Sequence, residues 1–421
     1  MAMKKKPVTG MKDILPNEMA IRDYVIGLIK ETYKQFGFTS VETPCVEHIE
    51  NLSSNQGGEN EKLIFKILKR GEKLNAAVEK GDMTALADGG LRYDLTLPLS
   101  RYYANNANEL PSPFKALQMG NVWRADRPQR GRYRQFMQCD IDILGEPSIL
   151  AEIELITATT TLLGKVGFSN FTIRLNNRKM LKAMAAYSGF AETDYDNVFI
   201  TLDKMDKIGI DGVAEELVGQ GYPKDHVDKY LDLFDKTTAD VAGVRYLKDT
   251  LGDFLDTNVA EDLETIISSV EATKSADFKI AFDPTLVRGM SYYTGPIFEI
   301  SMDEFGGSVG GGGRYDEMIG KFTGQATPAC GFSIGFERIV MLLLEKNYQI
   351  PGTADKKAYL VDKKMPAEKL VSIMQHAKAE REAGTQVNVV VMKKNKKFQK
   401  EQMEAEGYQT FEEFYADSYE G

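Results

Sequence analysis

The chain has 421 residues, 43% of them apolar and 27% charged, which excludes a disordered protein and leaves room for two or three domains with their own cores. A net charge of −10 argues against binding nucleic acid through bulk charge, although a local basic patch can still do so. The cysteines Cys45, Cys139 and Cys330 show neither CxxC nor Cys/His spacing, and no apolar run suits a signal peptide or a membrane span, so a soluble, cytoplasmic chain without a metal site of its own is expected.

After Pro16, "NEMAIRDYVIGLIKETYKQFG" places Ile21, Val25, Leu28, Ile29 and Phe36 on one helical face, with Asn17 as cap and Gly37 as stop. "FTSVETPCVEHIENL" alternates as a strand interrupted by Pro44, which suits an edge or an interface. From Ile64 to Gly145 the pattern reads as strands and turns, including "LRYDLTLPLSRYYA", "PFKALQMGNVWRAD" and "RPQRGRYRQFMQCDIDILG". These strand candidates lack regular helical crossovers, so the simplest arrangement is an antiparallel sheet. Residues 150–167 read as a helix and "FTIRLNN" as a short strand, and 178–277 is helical and acidic, like an insertion. Strand character returns at "DFKIAFDPTLVRGMSYYTGPIFEI", before the glycine-rich "FGGSVGGGGRYDEMIG", which reads as a turn or loop. "GFERIVMLLLEK" is a helix with Phe336, Ile339, Val340, Leu343 and Leu344 on one face. Beyond the linker "IPGTADKK" the order is strand, helix, strand, helix, short strand: a small α/β domain.

Arg132, Arg134, Phe136, Gln138, Asp140 and Asp142 share one strand parity, while Met137, Cys139, Ile141 and Ile143 share the other. The polar row is either a solvated face or a ligand row. In the second case arginine forks take carboxylate or phosphate at one end, and Asp and Gln take ammonium or ring N–H donors at the other. "LVRGMSYYTG" sets Arg288 just before Tyr292 and Tyr293, either an aromatic pair entering the core or part of a site. Neither GxxxxGK(S/T) nor a strand-to-helix GxGxxG is present, so a P-loop or Rossmann site is not expected. Arg338, after Glu337 in the first turns of its helix, joins a helix N-terminus to make an anion site, or is a surface arginine.

Together these segments resemble the class II aminoacyl-tRNA synthetases, and among them the histidyl-tRNA synthetase family. Motif 1 is similar to the first helix plus "VETPCVEHIENL", motif 2 to "NVWRADRPQRGRYRQFMQCDID", and motif 3 to "ACGFSIGFERIVML". "LVRGMSYYTG" and "GGGGRYDEMIG" resemble the segments that set the histidine enzymes apart, and the whole resemblance covers most of Met11 to Lys346. It implies an α+β fold: a six-stranded antiparallel catalytic sheet flanked by helices, with catalytic parts at 1–177 and 278–350, a helical insertion at 178–277, and an anticodon-binding-like α/β domain at 356–421, shorter than usual. It also implies a homodimer through motif 1 and a two-step reaction. The L-histidine carboxylate attacks the α-phosphate of ATP, which Mg²⁺ accompanies, and the histidyl adenylate is transferred to the 3′ end of tRNA(His).

By the same resemblance Arg124 and Arg288 hold the α-phosphate and the histidine carboxylate from opposite sides. Asp94, Thr96 and Gln138 hold the α-ammonium group, and Asp142 and Tyr293 pair with the imidazole nitrogens. Arg338 takes the γ-phosphate, Arg132 lies near the ATP phosphates, and Tyr292 and Tyr315 line the histidine pocket. The basic run Lys393, Lys394, Lys396 and Lys397 either touches tRNA or is a solvated helix start. Ser291 departs from the aspartate or small residue of many relatives, and Arg134 and Asp140 receive no role. The alternative is a catalytically silent paralogue, an ATP phosphoribosyltransferase regulatory subunit or a tRNA-sensing domain; the presence of Arg124, Arg288, Arg338, Tyr292 and Tyr293 speaks against it.

Overall fold

The first apolar stripe forms the helix Pro16–Gln35, which buries Val25, Ile29 and Tyr33. It begins at Pro16 rather than behind a cap at Asn17, because proline's missing N–H costs nothing in a first turn. Gly37, at a φ of 82°, turns the chain out of it as expected. The computed structural model describes residues 3–56, 60–287, 293–352 and 355–420, which divide into two units, Met1–Ile14 with Arg22–Lys346 and Leu15–Ile21 with Asn347–Gly421.

In the first unit the strands are β1 (Thr39–Val41), β2 (Val46–His48), β3 (Lys66–Leu68), β4 (Ala87–Leu91), β5 (Phe114–Trp123), β6 (Gln135–Leu144), β7 (Phe171–Asn177), β8 (Phe278–Phe282), β9 (Pro296–Met302), β10 (Gly307–Arg314) and β11 (Ala329–Ile334). Eight of them form one sheet in the order β1-β5-β6-β11-β10-β9-β7-β8. From β5 to β7 every neighbouring pair is antiparallel, which gives the six-stranded antiparallel body expected from the sequence. The edges differ from that expectation: β1 lies parallel to β5, and β8 parallel to β7. The β7–β8 link contains the helices from Arg178–Ser188 to Thr257–Thr273, and a long helical crossover is what parallel pairing requires. Pro44 falls between edge strand β1 and β2, which belongs to a separate sheet ordered β2-β4-β3.

Several stretches depart from the sequence reading, among them Ile49–Gln56, a helix at the end of the stretch read as a strand. Within "LRYDLTLPLSRYYA", Thr96–Asn106 is a helix: Asp94 accepts the Leu97 N–H at 3.1 Å, Pro98 sits in the first turn, and Leu97 and Leu99 are buried. Glu72–Glu79 is likewise helical within the region read as strands and turns. The glycine-rich stretch is not a turn but strand β10, paired on both sides with β9 and β11. A Cβ on Gly312 would lie 1.9 Å from the Gly331 carbonyl oxygen, so the glycines let these strands close up.

The second unit follows the expected order, with β12 (Lys356–Val361), helix Ala367–Glu382, β13 (Gln386–Val391), helix Lys396–Ala405 and β14 (Thr410–Phe414). Its parallel sheet runs β13-β12-β14 and buries Tyr359, Ile373 and Phe414 on one face. No described helix is long and apolar enough to cross a membrane.

Candidate active site

Strand β6 carries its polar row into the protein rather than into solvent: Gln138, Asp140 and Asp142 expose only 9%, 4% and 3% of their surface. Arg132 and Arg134 are not part of it, because the strand begins at Gln135 and both arginines lie in the preceding loop. Neighbouring strands make room for the row. Ala116, Gln118 and Gly120 of β5 pair with Asp142, Asp140 and Gln138, and on β11 Gly331 and Ser333 face Asp142 and Asp140. A Cβ on Gly331 would meet Asp142 Oδ1 at 2.0 Å, so the acid occupies the space a side chain there would take.

Each acid has a hydroxyl partner. Tyr315 Oη donates to Asp142 Oδ1 at 2.5 Å, and Ser333 Oγ to Asp140 Oδ1 at 2.5 Å. Burial pushes Asp142 up to about 7; the Tyr315 hydrogen bond opposes this and the Asp94 charge adds to it. Burial and the adjacent Asp142 raise Asp140 well above the carboxylate range, with Ser333 pulling the other way. Asp140 is therefore a buried member of the site and not the solvated residue its unassigned role suggested.

Arg124 follows β5. Its guanidinium lies 4.2 Å from the Tyr93 ring centroid and 5.2 Å from that of Phe136, and Nε donates to the Tyr93 carbonyl at 3.0 Å. A guanidinium held through Nε and its π face keeps its Nη fork for an anion. Asp94 is spaced one residue from Tyr93 at the start of the Thr96–Asn106 helix, which brings Asp94 and Thr96 to the same segment.

The loop between β5 and β6 turns at Gln129–Arg132, where Gly131 has a φ of 68°. Arg132 is exposed there, and Gly131 approaches Phe305 and Arg338. Arg338 is half-buried rather than on an open flank: its guanidinium lies 5.1 Å from the Phe305 ring centroid, and Nη1 donates to the Ser308 carbonyl. Its neighbour Glu337, overlooked in the sequence, receives both Nη groups of Arg22 at 2.7 and 2.9 Å and the Met137 N–H at 3.0 Å. One buried carboxylate thus ties the first helix, β6 and the Arg338 helix together, and an acid in an otherwise apolar helix was the available signal.

Tyr293 packs beside a buried cluster that includes Leu99, Ala116 and Tyr315. Arg288 and Tyr292 lie outside the described residues. In the second unit Lys393, Lys394 and Lys397 are exposed, whereas Lys396 bonds to Glu413 at 2.7 Å. Among the described residues no group of three or more His, Cys, Asp or Glu side chains is arranged to hold a metal ion.

The chain and its fold have counterparts among known proteins. The family profile described as histidyl-tRNA synthetase matches residues 10–339. The histidine–tRNA ligase of Leifsonia xyli subsp. xyli is 44% identical over 98% of this chain and 95% of its own length. That of Christiangramia forsetii is 38% identical over 82% of this chain and 78% of its own. The crystal structure of histidyl-tRNA synthetase from Nostoc sp. PCC 7120 superposes with a TM-score of 0.79 at 28% identity, covering 96% of this chain and 90% of that one. An ATP phosphoribosyltransferase regulatory subunit/histidyl-tRNA synthetase from Bacillus halodurans C reaches 0.78 at 19% identity over 99% of both chains, a likeness of fold. The fold is that of the class II synthetases, and the chain belongs to the histidyl-tRNA synthetase family.

Proposed function

We propose that this chain activates L-histidine with ATP and transfers it to the 3′ end of tRNA(His), using the face of β6 as the amino-acid site. The observation that carries the site assignment is the presence of two chemistries that both act on Asp140: Asp142, a buried acid on which no lysine or arginine among the described residues acts, and Arg124, a guanidinium set against the Tyr93 and Phe136 rings. The first suits the polar hydrogens of histidine and the second suits the anionic reacting centre.

In this reading the imidazole enters over β6, with one nitrogen toward Asp142 and the other toward Tyr293. A ring without those nitrogens would leave buried Asp142 with the Tyr315 hydroxyl alone, one hydrogen-bond partner short, which is the source of selectivity. Asp94, Thr96 and Gln138 take the α-ammonium group. Arg124, joined by Arg288, holds the histidine carboxylate against the α-phosphate and neutralises the charge that develops as they react. Arg338 takes the γ-phosphate and Arg132 the nearby phosphates, with Mg²⁺ arriving on ATP; Tyr292 and Tyr315 line the pocket. The chain works as a homodimer through motif 1, in the cytoplasm, with 178–277 as a helical insertion and 356–421 as the anticodon-binding-like domain, where Lys393, Lys394, Lys396 and Lys397 meet the tRNA.

The test is histidine-dependent exchange of pyrophosphate into ATP. Exchange should appear with histidine and vanish in Arg124→Ala, while the variant keeps its thermal midpoint. Folded, Mg²⁺-saturated protein that gives no exchange overturns the enzyme reading and favours the silent paralogue.

A further inference from the structure

Gln138 has a polarity problem that its neighbours solve. A carboxamide presents donors at one end and an acceptor at the other, and the two ends are nearly the same shape. A glutamine that must accept from an ammonium group therefore needs something to stop it turning over. Gln138 Nε2 lies 3.2 Å from Ser333 Oγ and 3.3 Å from Asp140 Oδ2. The Ser333 hydroxyl proton is committed to Asp140 Oδ1 at 2.5 Å, so toward Gln138 that oxygen can only accept. Ser333 Oγ and Gln138 Nε2 both donate to Asp140, an arrangement that suits its ionised form, and with Asp140 ionised both neighbours call for the amide's N–H end. The other end, Oε1, is buried and has no hydrogen-bond partner among the described residues. The residue paired with Gln138 on β5 is Gly120, which brings no side chain to serve it. A buried carbonyl oxygen left in this state is costly until a donor reaches it.

We infer that Asp140 and Ser333 are positioning residues that fix the Gln138 amide with its oxygen toward the α-ammonium group of histidine. This rests on the proposed ammonium role of Gln138 and assigns a task to Asp140, which had none. If the amide turned over, its NH₂ would face the ammonium and repel it. Removing the Asp140 carboxyl frees the Ser333 proton to donate to Oε1, which favours that wrong orientation.

The experiment measures the histidine KM in pyrophosphate exchange for Asp140→Ala, Ser333→Ala, Gln138→Ala and the double variant Gln138→Ala/Asp140→Ala. The inhibition constant of 3-(imidazol-4-yl)propionate, histidine without its amino group, is measured alongside. Loss of one charge-assisted hydrogen bond should raise the histidine KM of Asp140→Ala roughly 10- to 100-fold, with a much smaller change in kcat. The deaminated inhibitor should bind all variants alike, and Asp140→Ala should add little once Gln138 is alanine. Asp140→Asn, whose amide can satisfy Gln138 in either orientation, should show a smaller loss and guards against a folding defect in the alanine variant. Equal weakening of histidine and the deaminated inhibitor, or an undiminished Asp140 effect in the Gln138→Ala background, overturns the positioning role. An unchanged histidine KM in Gln138→Ala overturns the ammonium assignment itself, a result distinct from the other two.

Discussion

Asp142 in the first unit and Glu413 in the second both accept a hydrogen bond from a tyrosine hydroxyl, yet their acidities move in opposite directions. Lys396 and Lys400, each 2.7 Å away, together with Tyr415, push Glu413 down to about 2. Asp142 rises to about 7, because burial dominates and no lysine or arginine among the described residues acts on it. A hydroxyl partner alone therefore does not set a carboxyl's charge; the cation beside it and access to water do. Glu413 has its cations built in. Asp142 has none among the described residues, and under the proposed function the polar hydrogens it needs come with the amino acid.

Removing Asp142 breaks this contrast most directly. Asp142→Asn should lower kcat/KM for histidine by ~100-fold or more, since one carboxylate oxygen becomes an NH₂ donor and the ligand's N–H loses a charged acceptor. Its stability should move the other way. A carboxyl whose folded pKa lies above its unfolded value contributes stability that is present below the unfolded value, near 3.8, and lost as pH rises through about 7. The asparagine variant should therefore gain on the parent in thermal midpoint between pH 5 and pH 8. Calorimetry at both pH values checks it; a variant less stable than the parent at pH 8 would show that Asp142 is held charged by a partner.

Smaller changes sharpen the same half. In Gly331→Ala the new Cβ would fall 2.0 Å from Asp142 Oδ1 and must displace the acid. The expected cost is ~1–3 kcal/mol of stability by overpacking, with a clear rise in the histidine KM seen by exchange kinetics. Tyr315→Phe keeps the packing and removes one hydrogen bond, so its histidine KM should rise by about tenfold or less. It should also raise the Asp142 pKa further, read as an upward shift in the acid limb of the kcat/KM profile, because the hydroxyl is what lowers it.

These contrasts were unevenly legible in the sequence. The parity of Gln138, Asp140 and Asp142 put them on one face of one strand, and the motifs suggested a chemistry for Gln138 and Asp142 but none for Asp140. Whether that face was wet or buried was not written in β6 itself. It depends on Gly331, Ser333 and the β10 glycines, residues far along the chain whose small size permits a second layer of polar atoms. A glycine run reads locally as a loop, and only pairing on both sides makes it a strand. Thr96–Asn106 was missed for a related reason: "TLPLS" alternates like a strand, and the Asp94 cap that starts a helix looked only like a ligand residue. The link from Glu337 to Arg22 spans too much sequence for any local pattern to reveal it. The order of elements in the second unit was read correctly, because each strand and helix there is carried by its own periodicity.

The smallest effect tests the other half of the contrast. Glu413→Gln removes an acid whose two lysine partners are partly exposed, 38% for Lys396 and 33% for Lys400, so solvent screening limits the loss to about 1 kcal/mol or less at neutral pH. Its pH dependence should be the mirror image of that of Asp142. A carboxyl with a depressed folded pKa contributes stability that is present above its unfolded value, near 4.5, and lost as pH falls toward about 2. The parent's small advantage over the variant should thus be visible in thermal midpoint at pH 7, shrink below pH 4.5, and fade with added salt. Histidine-dependent exchange, which needs only the amino-acid and ATP sites, should stay unchanged. A variant that gained on the parent with rising pH, as Asp142→Asn is expected to do, would mean that burial rather than the lysines governs Glu413, and the two acids would no longer differ in kind.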